Sequence, residues 1–231
     1  MDFLEVRLHA PAGSLPVLAD FYGEQLGLER LEHGNENVAI RTGVTRLEFA
    51  AVGDEPFYHF ALLAPGNRFE EALAWASERS ELLPYPETGE VVFDFDNWGA
   101  LACYFHDPIG NIVELIAHRG VGETSAAGDF SARELLGFSE LGLVGSTAKM
   151  ASVLRRRLGL ELWDGSVEEG RLAFVGEPAR TLILSPEGRP WLPTRRPAEV
   201  HPCSVVLSGP PEGEALVGNS RYRIRRVGPS S

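Results

Sequence analysis

Cysteine is nearly absent from this chain. Its two residues, Cys103 and Cys203, show no metal or redox spacing, and both lie in apolar strand-like runs where buried free thiols are expected. Long hydrophobic runs are missing as well. None approaches the ~20 residues that a membrane span requires, so no membrane partner is expected. The N-terminus, Met1-Asp2-Phe3-Leu4-Glu5, is acidic and passes straight into a strand pattern, unlike a secretory leader. The chain therefore reads as cytoplasmic. Positive charge is scarce too: the formal net charge is −12 and the pI about 5.0, which argues against a nucleic-acid partner. The one basic cluster, residues 221–226, reads as a solvated or internally paired strand.

What is present is an ordinary globular composition, 44% hydrophobic and 23% charged over 231 residues, enough for one large domain or two of about 115. Repetition sets the organisation. From Ser14 as N-cap, Leu15, Leu18, Tyr22 and Leu26 recur at helical spacing until Gly27 ends the pattern between two leucines. The same design returns from Ser146 through Val153, Leu154 and Leu158 to Gly159-Leu160. Another helix is expected from Asn67, with Glu70 as a capping-box partner. Each helix follows one strand and precedes further strand signals: residues 3–9, then 38–41 and 46–52; 58–63, then 91–95, 101–105 and 111–117; 140–144, then 171–175 and 181–184. A fourth unit, about 200–227, has strand-like runs and no room for a helix. The Gly/Ser/Ala-rich stretch 120–128 reads as a linker. The expected division is residues 1–118, two full units; 119–135, a linker that acts as a hinge; and 136–231, one full and one stunted unit. The fold class is α+β, with open curved mixed sheets that carry their helices on the outer face.

Strand parity assigns faces. In the first strand Leu4, Val6 and Leu8 face the helix, which sends Glu5, Arg7 and His9 to the open trough. Leu47 and Phe49 likewise leave Arg46 and Glu48 in the trough. Parity alone is ambiguous for 59–63, and the cost of burying an imidazole in the core sends His59 to the trough. Glu114, the only polar residue of 112–116, goes there for the same reason. Carboxylates gathered in a trough need counter-charge, which a divalent cation or the arginines Arg7 and Arg46 can supply.

Residues 104–115, with the turn Asp107-Pro108-Ile109-Gly110-Asn111 before Glu114, resemble the last hairpin of the vicinal-oxygen-chelate superfamily, the relatives of glyoxalase, bleomycin-resistance proteins and extradiol dioxygenases. The helix ending Phe21-Tyr22-Gly23-Glu24-Gln25-Leu26-Gly27-Leu28 is similar to its other frequent signature. Residues 3–118 fit two successive βαβββ modules and 139–186 a third. The resemblance implies metal ligands at Glu5, Glu48, His59 and Glu114, with Glu5 or Glu48 as the catalytic base. Glu5 departs from the His or Gln of better-known members. Three carboxylates and one imidazole favour Mn²⁺, Fe²⁺, Ni²⁺ or Mg²⁺, with Zn²⁺ allowed. In the second half the matching positions fall near Ile183 and Cys203, and Glu140 stands alone, so that half reads as a degenerate, metal-free copy that braces the first. Arg7, Arg46, Trp98, Tyr104 and His106 are the expected substrate contacts, with Trp98 as a lid. The implied function is a metal-dependent lyase or isomerase gripping two vicinal oxygens of a small molecule. A non-catalytic drug or metabolite binder and an extradiol-type dioxygenase are the alternatives, and a homodimer is compatible with all three.

Overall fold

Apolar residues alternate along the first strand, and Pro16 then falls where a helix tolerates a missing N–H. The computed structural model describes residues 1–228. Strand β1 (Phe3–Pro11) leads into α1 (Leu15–Asp20), which widens to a π-type turn over Phe21–Gln25 and stops at Gly27, φ +76°. Ser14 stands at the N-cap position, but its hydroxyl donates to the Pro11 carbonyl at 2.7 Å rather than accepting from the helix. Strands β2 (Glu29–His33), β3 (Asn37–Thr42) and β4 (Thr45–Val52) complete the first unit. The second holds β5 (His59–Ala64), α2 (Phe69–Ser77), β6 (Phe93–Phe95), β7 (Ala100–His106) and β8 (Ile112–His118). The third holds β9 (Gly137–Val144), α3 (Thr147–Leu158), β10 (Leu162–Gly165), β11 (Ala173–Glu177) and β12 (Arg180–Ser185). The fourth is helix-free: β13 (Cys203–Ser208), β14 (Gly213–Val217) and β15 (Tyr222–Val227). Helix α2 starts two residues after the expected Asn67, whose side chain instead donates to the Thr124 carbonyl at 2.8 Å and accepts from its N–H at 3.1 Å.

These strands form two curled mixed sheets, a seven-stranded one in the order β14-β15-β13-β1-β4-β3-β2 and an eight-stranded half-barrel in the order β10-β11-β12-β9-β5-β8-β7-β6. The joins are antiparallel, β1 with β13 and β5 with β9. The first unit thus pairs with the fourth and the second with the third, so each sheet takes strands from both sides of residues 119–135. That stretch is itself fastened down. Val121 accepts from Gly66 N–H at 2.8 Å, and the Arg68 guanidinium donates to the carbonyls of Ala126 (2.7 Å) and Gly128 (2.8 Å). Phe130 packs edge-on against Trp75, and Ser131 closes a capping box with Glu134. The segment expected to be a hinge is tied to the start of α2 along most of its length.

Parity holds along the strands except at the start of β1, where a register shift between Phe3 and Glu5 puts Phe3, not the expected Leu4, in the core. Phe60, Leu62, Val113, Leu115, Leu141 and Leu143 of the half-barrel share one core with Val6, Leu8, Leu47 and Phe49 of the other sheet and with the helices. Ala61, Leu63, Tyr104, Ile112, Ile116 and Ile183 point the opposite way, into the hollow of the half-barrel. A loop, residues 186–198, folds back over that hollow and buries Trp191 and Ala198 against it.

Candidate metal centre

The expected ligand set is divided by this topology. Glu5 and Glu48 lie on the seven-stranded sheet; His59 and Glu114 lie in the half-barrel. On the seven-stranded sheet Glu48 faces two arginines, whereas Glu5 makes no ion pair among the described residues. Glu48 meets Arg7 at 3.3 Å and Arg46 at 3.0 Å, and Arg46 also reaches Glu32 at 3.1 Å. Arginine is the counter-charge there. Arg7 and Arg46 accordingly stand away from the half-barrel hollow. So does His106, which is exposed, lies beside Phe21 and Gln25, and has Nδ1 3.2 Å from the Asn111 carbonyl.

The hollow itself brings together His59, Glu114 and Glu140, all buried, with ligand-capable atoms within 4.8 Å of one another. Glu140 belongs to β9 of the third unit, the half read as degenerate. Its signal in the sequence was that of Glu114: the only ionisable residue of an apolar strand. No partner stands beside it in its own half, and the β5–β9 join supplies the partners from the other. Strand register gives the fourth position. Ala61, two residues after His59, pairs with Glu114; Gly142, two residues after Glu140, pairs with Ile183. The set is three donors and one isoleucine.

The electrostatics of these groups are unfavourable without a bound cation or proton. Nδ1 of His59 lies 3.1 Å from the Ile112 carbonyl, which can only accept, so Nδ1 carries the hydrogen and the lone pair resides on Nε2. That lone pair faces Glu114 Oε2 at 3.5 Å. Burial lowers the His59 pKa to about 4, so the contact is not an ion pair: it holds only with a proton on Glu114 or a cation between the two groups. Burial, then Glu140, pushes Glu114 well above the usual carboxylate range, and burial raises Glu140 to about 8. One Glu140 oxygen has no hydrogen-bond partner although it is fully buried. A divalent ion would satisfy the Nε2 lone pair and both carboxylates at once, and the donor set fits one.

The hollow has a volume of about 330 Å³, and its walls include Phe95, Trp98, Tyr104, Phe174 and Trp191. Tyr104 is the cross-strand partner of Glu114, and burial, with Glu114 next, raises its hydroxyl well above the usual range. Trp98 closes one side. Its indole N–H donates to Asp164 and its ring packs on Trp163 and Phe174, so it ties the β6 edge of the half-barrel to the β10 edge. Trp191 lies 4.9 Å from the His59 ring, close enough that a Cβ on Gly142 would meet it at 2.8 Å.

No protein-family model and no curated protein matches this sequence. Solved structures do match. A "putative dioxygenase" from Bacillus subtilis subsp. subtilis str. 168 gives a TM-score of 0.59 at 15% identity, over 98% of this chain and 85% of that one. Glyoxalase I from Zea mays gives 0.54 at 15% identity over 89% and 74%, and a mutant of the maize enzyme gives 0.58 at 11% identity over 98% and 93%. The fold is that of the vicinal-oxygen-chelate superfamily.

Within this vicinal-oxygen-chelate fold the hairpin motif positions the donors rather than joining them. The buried Asp107 carboxylate accepts from the N–H groups of Ile109 (3.1 Å) and Asn111 (2.9 Å), the Asn111 amide (2.7 Å) and the Tyr22 hydroxyl (2.8 Å). Gly110 turns the chain at φ +80°. The Asn111 side-chain oxygen then accepts from Tyr58 N–H at 2.7 Å, which registers β5 against β8 and sets His59 beside Glu114. Both sequence signatures, the turn and the Tyr22 helix, meet at Asp107. Replacing Asp107 with Ala strands several buried donors and is expected to cost about 2–4 kcal/mol in urea-unfolding stability. A loss below about 0.5 kcal/mol would remove this positioning role.

Proposed function

We propose that this protein is a metal-dependent enzyme that binds a small molecule through two vicinal oxygens at His59, Glu114 and Glu140. The observation that carries this reading is the His59 Nε2 lone pair aimed at Glu114 Oε2 at 3.5 Å, beside a buried Glu140 oxygen with no partner. Two carboxylates and one imidazole suit Mn²⁺, Fe²⁺, Ni²⁺ or Mg²⁺, with Zn²⁺ allowed. The ion, when bound, supplies Lewis-acid stabilisation to an oxyanion developing on the ligand. His59 and Glu114 act as fixed donors, both held by the β5–β8 register. Glu140, the carboxyl left without a protein partner, is the group to take and return a proton beside the chelated oxygens. The aromatic walls exclude water and accept an apolar body. A pure drug-sequestering binder has no use for three converging ionisable groups, and ranks lower.

Lyase or isomerase chemistry is the first reading. Ile183 favours a second, an extradiol-type dioxygenase, because a three-donor site leaves one more position open than a four-donor site. The test is thermal unfolding of the protein loaded separately with Mn²⁺, Fe²⁺, Ni²⁺ and Zn²⁺, alone and with α-hydroxyketones, 2-oxoaldehyde–thiol adducts and catechols. Vicinal-oxygen compounds should raise Tm only when metal is present. Oxygen uptake with a catechol decides for the dioxygenase; stabilisation by all compounds without metal sinks both.

A further inference from the structure

The charges that line the half-barrel hollow cancel except for one. Ionised Glu114 and Glu140 would balance a divalent ion, and Arg195 is paired with Glu87 at the rim. Arg189 remains. It lines the same hollow, is partly exposed where the hollow meets solvent, and makes no ion pair with a carboxylate among the described residues. Its one side-chain hydrogen bond is a long one, 3.3 Å, to the carbonyl of Pro190. Its charged neighbour is a second cation, Arg171, which also carries no ion pair among the described residues and precedes Leu172 in the pocket wall. Burial and Arg171 both lower the proton affinity of Arg189. In a chain of net charge −12, a half-buried guanidinium that lines a hollow and meets no carboxylate is placed to receive an anion.

We propose that the ligand of this pocket carries a carboxylate at the end away from its chelating oxygens, received by Arg189. This rests on the metal-dependent reading above for the chelating end only. A guanidinium takes a carboxylate in the plane of its fork by two parallel charge-assisted hydrogen bonds, and a partly desolvated guanidinium gains most from doing so. A single negative charge completes the balance. A volume of about 330 Å³ is at the small end for ligand pockets and fits one ring with a short acidic substituent. The class is a carboxylated aromatic or cyclic compound with two adjacent oxygens.

The experiment uses 3,4-dihydroxybenzoate and its methyl ester, which present the same chelating pair with and without the charge. Binding is measured by calorimetry under argon to the full-length protein, Mn²⁺-loaded and metal-free, as wild type, Arg189→Ala and Arg171→Ala. The acid should bind at least about tenfold more tightly than the ester. Arg189→Ala should bring that ratio to about one without changing ester affinity or bound Mn²⁺, whereas Arg171→Ala, at an exposed position outside the hollow, should leave it well above one. A ratio near one in the wild type, or one that survives Arg189→Ala, overturns the proposal. Failure of the metal reading looks different: ester affinity would not respond to Mn²⁺, while the preference for the acid and its loss in Arg189→Ala would still be measurable.

Discussion

Metal-free protein is expected to lose thermal stability as pH rises from 6.5 to 8, and Mn²⁺-loaded protein to gain it. The sign follows from which protonation state the fold prefers. Burial raises the folded Glu140 pKa from the ordinary 4.5 to about 8, and chiefly burial raises Glu114 as well. For a carboxyl raised in this way the protonated form suits the fold. Its contribution is complete below 4.5 and is lost as pH climbs through about 8. His59 runs the other way: its folded pKa is about 4 against 6.5, so its contribution is present above 6.5 and lost as pH falls towards 4. Between 6.5 and 8 the unfolded imidazoles of His59, His118, His9 and His201 go from half-charged to neutral while burial keeps the folded ones neutral, so their opposing slope fades and the carboxyls outweigh it. A metal ion reverses it, because each proton on a donor competes with the ion and affinity rises as protons leave. Differential scanning fluorimetry across this window, with EDTA and with saturating Mn²⁺, reads both slopes. Slopes of the same sign in the two conditions would contradict the site.

His59→Ala and Glu140→Gln should each abolish retained metal, whereas the double change Glu5→Ala with Glu48→Ala should leave it at the wild-type level. Glu140→Gln keeps the size of the side chain and removes its charge, so loss of metal cannot be assigned to packing. Losing one donor of three should weaken binding on the order of 100-fold or more, since groups that merely orient a donor are already worth 10–100-fold. The Glu5 and Glu48 changes act on the seven-stranded sheet, where Glu48 is held by Arg7 and Arg46. Mass spectrometry of metal content after dialysis against Mn²⁺ and then buffer measures all three. Retention in Glu140→Gln with loss in the Glu5 and Glu48 double variant would place the centre where the sequence alone had suggested it.

Strand edges were the elements the sequence concealed. β2 and β10 are largely exposed outer strands, so neither carries an alternation of apolar residues to reveal it. Glu140 and Glu114 carried the same local signal, one acid in an apolar strand, yet only Glu114 had a recognisable turn in front of it. Trp98 and Tyr104 both line the hollow; the sequence offers Trp98 from its polar turn at a strand end and Tyr104 as one of several aromatics in or beside the trough strands. It does not offer Arg189 and Trp191, because they sit in a loop of the third unit with no periodicity, and only its fold-back over the half-barrel brings them to the site.

The sequence by itself determined the repeated strand–helix–strand units, the face on which most strand residues lie, and the turn that sets His59 beside Glu114. These are local properties: alternation along a strand, a helical period, a glycine at positive φ. The tertiary structure alone decided which unit joins which. A β1–β13 or a β5–β9 pairing depends on unsatisfied edge groups and on apolar faces more than a hundred or tens of residues apart, and nothing in the alternation of a strand names its neighbour. That choice put Glu5 and Glu48 on a different sheet from His59 and Glu114 and brought Glu140 to His59.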